Sequence, residues 1–443
     1  MSDPVAVVEV RRVLAVTIAA ERLRIVASLI RRTRDWELSE DAVQDAAARA
    51  LATWPRRGIP DNPAAWLTTA ARNAAVDALR RAETERRTAG RAAIEAELDL
   101  DGNLPPTLGS GQTAEAPGAM DDDRLRLIFT CCHPALPLEA RIALTLRTVA
   151  GLEVAEIARA FLVTEAAMQK RLVRARAKIR DAGIPYRVPA PEQLPARTQD
   201  VLAVLYLLFT EGYSGGGELV RVPLADEALR LGRLLATLMA ETPLQPEVLG
   251  LQSLMLFQHS RRATRVDAAG DLILLEDQDR AQWDAAMIGD GIAALAASES
   301  ARRRRDGVVG PYRLQAEIAR EHATASSAET TDFRRIAELY ARLARVAPSP
   351  VVEVNRAVAV ALADGPAAGL AILDSLDDAR LSGYHLLPAA RADLLRRAGR
   401  DAEALCEYER ALALAPSEPE RRFLAQRISG LRSAEGPCGS ASA

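Results

Sequence analysis

A short basic segment has the clearest chemistry in the sequence. Between Thr164 and Arg180 there are six basic residues and one acid, and both lysines of the chain, Lys170 and Lys178, lie there. Positive side chains on a helix bind phosphates, and polar side chains in its first turns can read base edges in the major groove of DNA. The residue types therefore favour duplex DNA binding over a solvated basic face, which is the simpler alternative.

The apolar residues of this segment predict the helix that positions the charges. Four of them recur at intervals of 4, 3 and 4 residues and would form one buried stripe. They are Met168, Leu172, Ala175 and Ile179. A second amphipathic helix over 151–161 precedes a short break, and Thr164 can cap the helix that follows. A short helix, a tight turn and a basic helix together indicate a helix-turn-helix.

The expected DNA contacts follow from positions on this helix. Base edges would be reached from the first turns, and phosphates from the later basic residues. The predicted base-facing residues are Glu165, Ala166, Gln169 and Lys170, and the predicted phosphate contacts are Arg171, Arg174, Arg176 and Arg180.

Composition predicts a multi-domain, all-α protein. The 443 residues exceed one ordinary domain, hydrophobic residues make up 49%, and aromatic residues only 4%. A net charge of −3 argues against a uniformly basic nucleic-acid coat protein but allows local basic patches. No apolar run reaches membrane-spanning length, the first residues lack a basic signal-peptide segment, and four cysteines are too few for a disulfide scaffold. We therefore expect a cytoplasmic chain with no membrane segment.

Charge and turn residues divide the chain. From residue 92 to residue 123 there are eight acids and no Lys, Arg or His, and the centre of this stretch is rich in Pro, Gly and Ser. Such a composition is typical of a flexible linker. The predicted parts are a helical unit over 5–90, an acidic linker over 91–123, a second helical unit over 124–185, a long helical region over 196–431 and a disordered tail over 432–443.

The long helical region contains an internal repeat. Leu339–Pro348 resembles Glu407–Pro416 at an offset of 68, which is twice 34, and Gly365 and Gly399 are 34 residues apart. A period of 34 with small residues, an aromatic and a terminal proline is typical of tetratricopeptide repeats. The alternative is an irregular helical bundle with one chance match. The residues that fit the repeat best are Ala404, Tyr408, Ala411 and Pro416.

The two N-terminal units together resemble bacterial extracytoplasmic-function (ECF) sigma factors of the sigma-70 family. Leu152–Ala158 followed by Met168–Arg176 is similar to region 4, and Asp41–Asp45 is similar to region 2.2. Similarity to regions 2.3 and 2.4 lies in Pro63–Leu67, Ala71–Asn73, Asp77 and Arg80–Arg81. The resemblance covers about 150 of the 443 residues. Cys131–Pro134 and the long C-terminal extension resemble the subgroup that carries a tetratricopeptide-like domain.

The resemblance implies binding to core RNA polymerase, through its β′ clamp and β flap, and to promoter DNA. Region 2 would bind the clamp and open the −10 element, and region 4 would read the −35 element. The implied polymerase contacts are Asp41, Gln44 and Asp45, which share one helical face. The implied −10 contacts are Arg56, Arg57, Asn62, Arg72, Asn73, Arg80 and Arg81. The implied −35 contacts are Thr164, Glu165, Gln169, Lys170, Arg171, Arg174 and Arg176.

Trp66 in the first unit and Leu162 in the second are two further positions for which the sequence gives an expectation. Trp66 lies on a helical stripe with Ala70 and Asn73, so we expect a core residue rather than a platform for stacked bases. The turn before the recognition helix has Leu162 where the family usually has a glycine, which leaves its geometry open.

No enzyme, metal or cofactor site is predicted. The glycine-rich stretch 209–217 lacks the GK[ST] of a phosphate-binding loop, and a structural turn is the better interpretation. Cys131, Cys132 and His133 have no second cluster to complete a metal site, which favours helix packing.

One alternative function and one further partner remain open. The alternative is a helix-turn-helix transcription regulator with a helical sensor domain, which would not need the motifs between Asp41 and Arg81. The stacked C-terminal helices would form a groove for a protein partner and would regulate the sigma module.

Overall fold

The computed structural model is helical throughout the residues that it describes. Those residues are 4–97, 122–161, 163–213, 222–267, 271–305, 309–376, 381, 383–415 and 417–434. They contain no β-strand, only an isolated bridge between Val266 and Leu272, and this confirms the all-α prediction. Within these ranges no helix is long and apolar enough to cross a membrane. The chain divides into two compact units between Val204 and Leu205.

The first unit begins with three long helices that pack on one another: α1 (Pro4–Thr33), α2 (Trp36–Arg57) and α3 (Pro63–Glu97). The Asp35 carboxylate caps α2 by accepting the N–H of Leu38 at 3.0 Å. Helix α3 continues past residue 90 into the segment predicted as linker, because its last residues are mainly the strong helix formers Ala, Glu and Arg. The rest of the predicted linker, from 98 to 121, lies outside the described residues.

Shorter helices form the remainder of this unit. They are α4 (Asp123–Cys131), α5 (Leu138–Leu144), a π-helical turn (Thr145–Ala150), α6 (Val154–Ala160), α7 (Glu165–Asp181) and the start of α8 (Leu194–Tyr213). Gly151 ends the π-helical turn with a φ of +86°, a left-handed conformation that favours glycine. Its position is also crowded, because a Cβ there would lie 2.8 Å from the Arg22 guanidinium.

The second unit is a succession of paired helices. They are α9 (Val222–Leu238), α10 (Gln245–Ser260), α11 (Ala285–Arg305), α12 (Pro311–Thr324), α13 (Phe333–Val346), α14 (Pro350–Asp364), α15 (Pro366–Asp374), α16 (Leu386–Arg397), α17 (Asp401–Leu414) and α18 (Glu418–Ala434). Short 3₁₀ turns occur at Arg262–Thr264 and Arg280–Gln282. Proline begins α12, α14 and α15, where the missing N–H costs no helical hydrogen bond.

Apolar clusters hold the later helices of this unit together. One cluster extends from Val354 to Leu431 and another joins α12, α13 and α14. The repeat residues Ala404, Tyr408 and Ala411 are all buried in the first cluster, as a tetratricopeptide pair would require. Pro416, the fourth of those residues, lies outside the described part of the chain, as do the glycine-rich residues 214–217.

Candidate nucleic-acid and polymerase interface

The predicted helix-turn-helix is formed by α6 and α7. Thr164 caps α7, its hydroxyl accepting the N–H of Ala167 at 3.2 Å, and Glu153 and Glu156 form a reciprocal cap on α6. The predicted apolar stripe is confirmed, since every member is buried: Met168, Leu172, Ala175 and Ile179. Leu162, at which the turn departs from the family pattern, lies outside the described residues.

The opposite side of α7 is exposed and carries several basic residues. Thr164, Glu165, Gln169, Lys170 and Arg174 all lie on the surface, at or beyond the start of the helix. Thr164, Lys170 and Arg174 border an open groove of about 760 Å³ together with α5. This arrangement matches a helix that enters a DNA groove with its first turns and meets phosphates with its later basic residues.

Two arginines among the predicted −35 contacts pair with protein carboxylates in this structure. Arg171 pairs with Glu139 of α5 at 3.0 Å and lies 5.9 Å from the centre of the Phe161 ring. The side chain of Arg176 is only 12% exposed and pairs with Glu37 and Glu40 of α2. Arg176 therefore faces α2 and not the exposed side of α7, and its DNA contact remains a prediction.

The predicted −10 residues are exposed along α3 and at the end of α2. Arg56, Arg57, Arg72, Asn73, Arg80 and Arg81 are all at the surface. Asn62 is also exposed, but its side-chain oxygen caps α3 by accepting the N–H of Ala65 at 2.9 Å. The apolar side chains of Val76 and Leu79, at 38% and 39% exposure, lie among these polar residues. The face therefore combines the positive charge that a single strand needs with exposed aliphatic side chains.

The prediction that Trp66 is a core residue is met only in part. The buried stripe of α3 is Leu67, Ala71 and Ala74, and Trp66 is one residue, or about 100°, away from it. Trp66 is half-buried, its ring contacting the buried Trp54 edge-on at 5.4 Å between centroids.

The predicted polymerase contacts share an exposed face of α2. Asp41, Gln44 and Asp45 are at the surface, while Ala42 and Val43 are buried on the opposite side. Partial burial and the neighbouring carboxylates of Glu40 and Glu37 raise the pKa of Asp41. A concentration of negative charge that raises a carboxyl pKa also favours a basic partner.

The Cys131–His133 segment packs as predicted. Cys131 ends α4, and both thiols are fully enclosed in the core. Burial raises the pKa of Cys132 to about 11 and that of Cys131 well above its ordinary value, so neither is a thiolate at neutral pH. Across the described ranges no group of three His, Cys, Asp or Glu residues is arranged to hold a metal ion.

Glu40 is the site residue that sequence reasoning missed. Its carboxylate is 3% exposed and binds Arg147, Thr148 and Arg176, all from the second half of the unit. The signal was present, since Glu40 lies four residues after Trp36 and three before Val43, on the buried stripe of α2. A charged residue on such a stripe needs a buried partner.

Comparisons with known proteins agree with this architecture. "Sigma-70 region 2" matches residues 18–85, and "Sigma-70, region 4" matches residues 126–179. A family of unknown function (DUF6596) matches residues 197–299. The uncharacterized protein R00370 of Rhizobium meliloti (strain 1021) is 42% identical over 416 residues, which cover 94% of this chain and 95% of that protein. No solved structure matches the chain.

The chain thus belongs to one family with R00370, and its region 2 and region 4 domains make it a sigma-70 family sigma factor, a protein of promoter recognition and transcription initiation. Below, region 2 denotes α1–α3, and region 4 denotes residues 123–186 from α4 to the segment after α7.

Proposed function

We propose that the chain is an ECF-type sigma factor that binds core RNA polymerase, opens promoter DNA at the −10 element with region 2 and reads the −35 element with region 4. The observation that carries this proposal is the pair of exposed, partly basic faces on α3 and α7 in one chain. One face suits extruded bases and the other suits a major groove. A helix-turn-helix regulator without polymerase binding would need only the second.

The acidic face of α2 is the proposed contact for the β′ clamp, and region 4 is the proposed contact for the β flap. Replacing Asp45 with Arg should weaken binding of core polymerase at least tenfold, because it places a positive charge inside an acidic contact surface. Glu192→Arg makes the same charge change at another exposed site and should leave the affinity unchanged. Fluorescence anisotropy of the labelled chain titrated with core polymerase measures both.

Run-off transcription distinguishes the two classes of function. With core polymerase and a cognate promoter, but no other sigma factor, the chain should produce a defined transcript. Duplex DNA binding without a transcript would instead favour the helix-turn-helix regulator.

For the C-terminal unit we propose a tetratricopeptide-like domain that regulates the sigma module by binding an extended segment of a protein partner. Support comes from the 34-residue spacing of Gly365 and Gly399, which both follow the end of a helix and both have a positive φ, of +103° and +72°. Further support comes from an apolar groove of about 440 Å³ bordered by Phe333, Tyr340 and Leu386. We also infer a cytoplasmic protein, in keeping with its proposed binding to polymerase.

A charged residue in the groove tests this role. Leu386→Glu should change promoter activity in cells, in whichever direction the domain acts, because a carboxylate would be desolvated under the partner. Val346→Glu is the matched control, since Val346 is equally exposed, at 46% against 44%, but does not border the groove. Equal promoter activity in the two variants would contradict a functional groove.

A further inference from the structure

A cavity of about 520 Å³ in the C-terminal unit has the size of a small-molecule site. It lies between α10, α12, α13 and α14, and the segment that connects α10 to α11 also borders it. Every described residue on its border belongs to the second compact unit. The C-terminal unit therefore forms this cavity, called the aromatic pocket below, without help from regions 2 and 4.

Aromatic side chains form much of the wall of the aromatic pocket. They are Tyr206, Phe257, Trp283 and Tyr340. Phe257 and Trp283 are buried, and the indole N–H of Trp283 donates to the hydroxyl of Thr264 at 3.0 Å. The guanidinium of Arg280 lies 4.9 Å from the centre of the Trp283 ring. These contacts hold the Trp283 ring in place, and a wall of rings favours a ligand that itself has a planar ring.

Polar side chains on the same wall are available to a ligand. Among the described residues, none forms a hydrogen bond with the ring nitrogens of His322, the hydroxyl of Tyr340 or the side-chain amide of Asn355. His322 and Tyr340 are half-buried, and polar atoms in such positions bind water or a ligand. Burial raises the pKa of Tyr340 to about 12, so its hydroxyl keeps the proton and can donate it to a hydrogen bond.

The charge around the aromatic pocket is positive. Of the charged residues that the structure describes, Arg261 is on its border and no Asp or Glu is. Burial, together with the charges of Arg261 and Arg280, lowers the pKa of His322 to about 4, so its ring is neutral at pH 7. A positive site without acids favours an anion. One guanidinium balances one negative charge, which favours a carboxylate over a phosphate.

The aromatic pocket shares a wall with the apolar groove proposed for the protein partner, called the partner groove below. Leu275, His322, Tyr340 and Asn355 border both cavities. A ligand that binds these side chains from one side fixes groups that a partner meets from the other side. Two sites that are coupled in this way change each other's affinity by the same factor.

We propose that the aromatic pocket binds a small planar aromatic carboxylate, with its ring against Trp283 and Tyr340 and its carboxylate on Arg261. The pocket makes the C-terminal unit a sensor of such a compound. Bound ligand alters the partner groove through the shared wall, and this second step rests on the proposed function of the groove. The ligand site itself rests on the aromatic pocket alone.

Isothermal titration calorimetry on the full-length chain tests the ligand site. The probes are benzoate, 2-naphthoate and biphenyl-4-carboxylate, the three matching amides, which lack the charge, and hexanoate, which lacks the ring. The wild-type chain should bind at least one aromatic acid about tenfold more tightly than its amide and than hexanoate, the factor for one charge-assisted hydrogen bond.

Variants place this binding in the aromatic pocket. Arg261→Gln should remove most of the preference for the acid over its amide, because the carboxylate loses its counter-charge. Arg262→Gln is the matched control, since Arg262 pairs with Asp284 and does not border the pocket, and it should keep the wild-type affinity. Ala319→Phe places a ring inside the pocket and should abolish binding, which covers the case in which Arg261→Gln misfolds.

Three results would overturn the ligand site. The first is that none of the three acids binds the wild-type chain at about 1 mM. The second is an equal loss of affinity in Arg261→Gln and Arg262→Gln. The third is tighter binding of a pentapeptide that ends in phenylalanine, which presents the same ring and carboxylate and would identify the end of a protein chain as the occupant.

Transcription separates the ligand site from the proposed function. The assay uses an extract of the source organism that lacks this chain, to which purified chain and a cognate promoter are added. The bound acid should change transcript yield about twofold or more with wild type and leave it unchanged with Arg261→Gln. If the acid binds and the yield stays constant, the ligand site stands and regulation through the partner groove is wrong. If no acid binds while the chain directs transcription, the ligand site is wrong and the sigma function stands.

Discussion

The joint between regions 2 and 4 and the interior of the C-terminal unit are built differently. At the centre of the joint is the carboxylate of Glu40 with two guanidinium groups and a hydroxyl. The helices from α12 to α18 instead meet through continuous apolar clusters. Apolar contacts gain free energy on burial, whereas a buried ionic contact mainly fixes geometry and depends on its partners.

This difference separates a part that can rearrange from a part that keeps its shape. Charged groups released from the joint can bind water, phosphate or another protein, whereas apolar groups released from a cluster have no good alternative in solution. The N-terminal unit also has an apolar core, but a buried ionic cluster lies where regions 2 and 4 meet, whereas the later helices of the C-terminal unit meet through apolar clusters.

Truncation of a cluster residue should cost the most stability. Leu394 of α16 is 1% exposed, and Leu394→Ala should lower the free energy of unfolding of the C-terminal unit by about 2–5 kcal/mol. Leu386→Ala, on the same helix but 44% exposed, should cost much less. Urea unfolding followed by far-UV circular dichroism measures both. Similar losses in the two variants would contradict an apolar core in this unit.

A buried carboxyl makes the C-terminal unit sensitive to pH. Burial raises the pKa of Glu247 to about 7, although it accepts the N–H of Tyr312 at 2.6 Å and caps α12. The folded state then holds this proton more tightly than the unfolded state, whose carboxyl has its ordinary pKa of 4.5. Between these two values the free energy of unfolding should fall as pH rises, and above pH 7 the effect should be constant.

The size of this pH effect is roughly 3 kcal/mol, at about 1.4 kcal/mol per pKa unit. Glu247→Gln keeps the capping oxygen and has no proton to release. The difference in free energy of unfolding between wild type and Glu247→Gln should therefore decline from pH 4.5 to pH 7. Denaturant titrations at several pH values measure it, and parallel pH profiles for the two proteins would refute the prediction.

Substitution of Gly151, which lies against Arg22 where regions 2 and 4 meet, should lower stability because the space there is filled. Gly151 and Gly183 both have left-handed φ, of +86° and +60°, so alanine strains the backbone at each. Only at Gly151 would the new Cβ meet another group, the Arg22 guanidinium at 2.8 Å. We expect a loss of about 1 kcal/mol for Gly183→Ala and about 2 kcal/mol for Gly151→Ala. Thermal unfolding of both variants measures this difference in stability. Equal losses of stability would show that the Arg22 side chain moves aside and that the space at Gly151 is not tightly filled.

The smallest effect concerns the exposed face of α7. Arg174→Gln should weaken binding to a −35 duplex several-fold and reduce the slope of log K against log salt by about 1, because one phosphate contact is lost. Arg187→Gln removes the same charge from the exposed connector and should leave the slope unchanged. Fluorescence anisotropy over a salt series gives both slopes. An unchanged slope of log K against log salt for Arg174→Gln would show that Arg174 does not bind a phosphate and would contradict the proposed role of α7.

Local pattern was sufficient to predict much of this structure. The stripe from Met168 to Ile179, the cap at Thr164 and the burial of Cys131 follow from helical periodicity and composition, which act over a few residues. Trp66 was placed on a stripe with Ala70 and Asn73, whereas the buried stripe of α3 runs through Leu67, so Trp66 is only partly buried.

The joint itself could not be predicted from local pattern. Glu40 and Arg147 are 107 residues apart, and no periodicity relates them. Arg176 was correctly placed on a basic helix, but its partners in α2 depend on how regions 2 and 4 pack together. The one indication in the sequence was that Glu40, a charged residue, lies on the buried stripe of α2 and therefore needs a buried partner.

Transcription from a genomic library shows whether the chain confers promoter recognition on core polymerase. Purified chain and core polymerase are incubated with fragmented genomic DNA of the source organism, and the 5′ ends of the transcripts are sequenced, with polymerase alone as the control. We expect start sites that depend on the chain and share two upstream motifs, near −10 and −35. Start sites identical to those of polymerase alone, from a chain that still binds duplex DNA, would contradict this expectation.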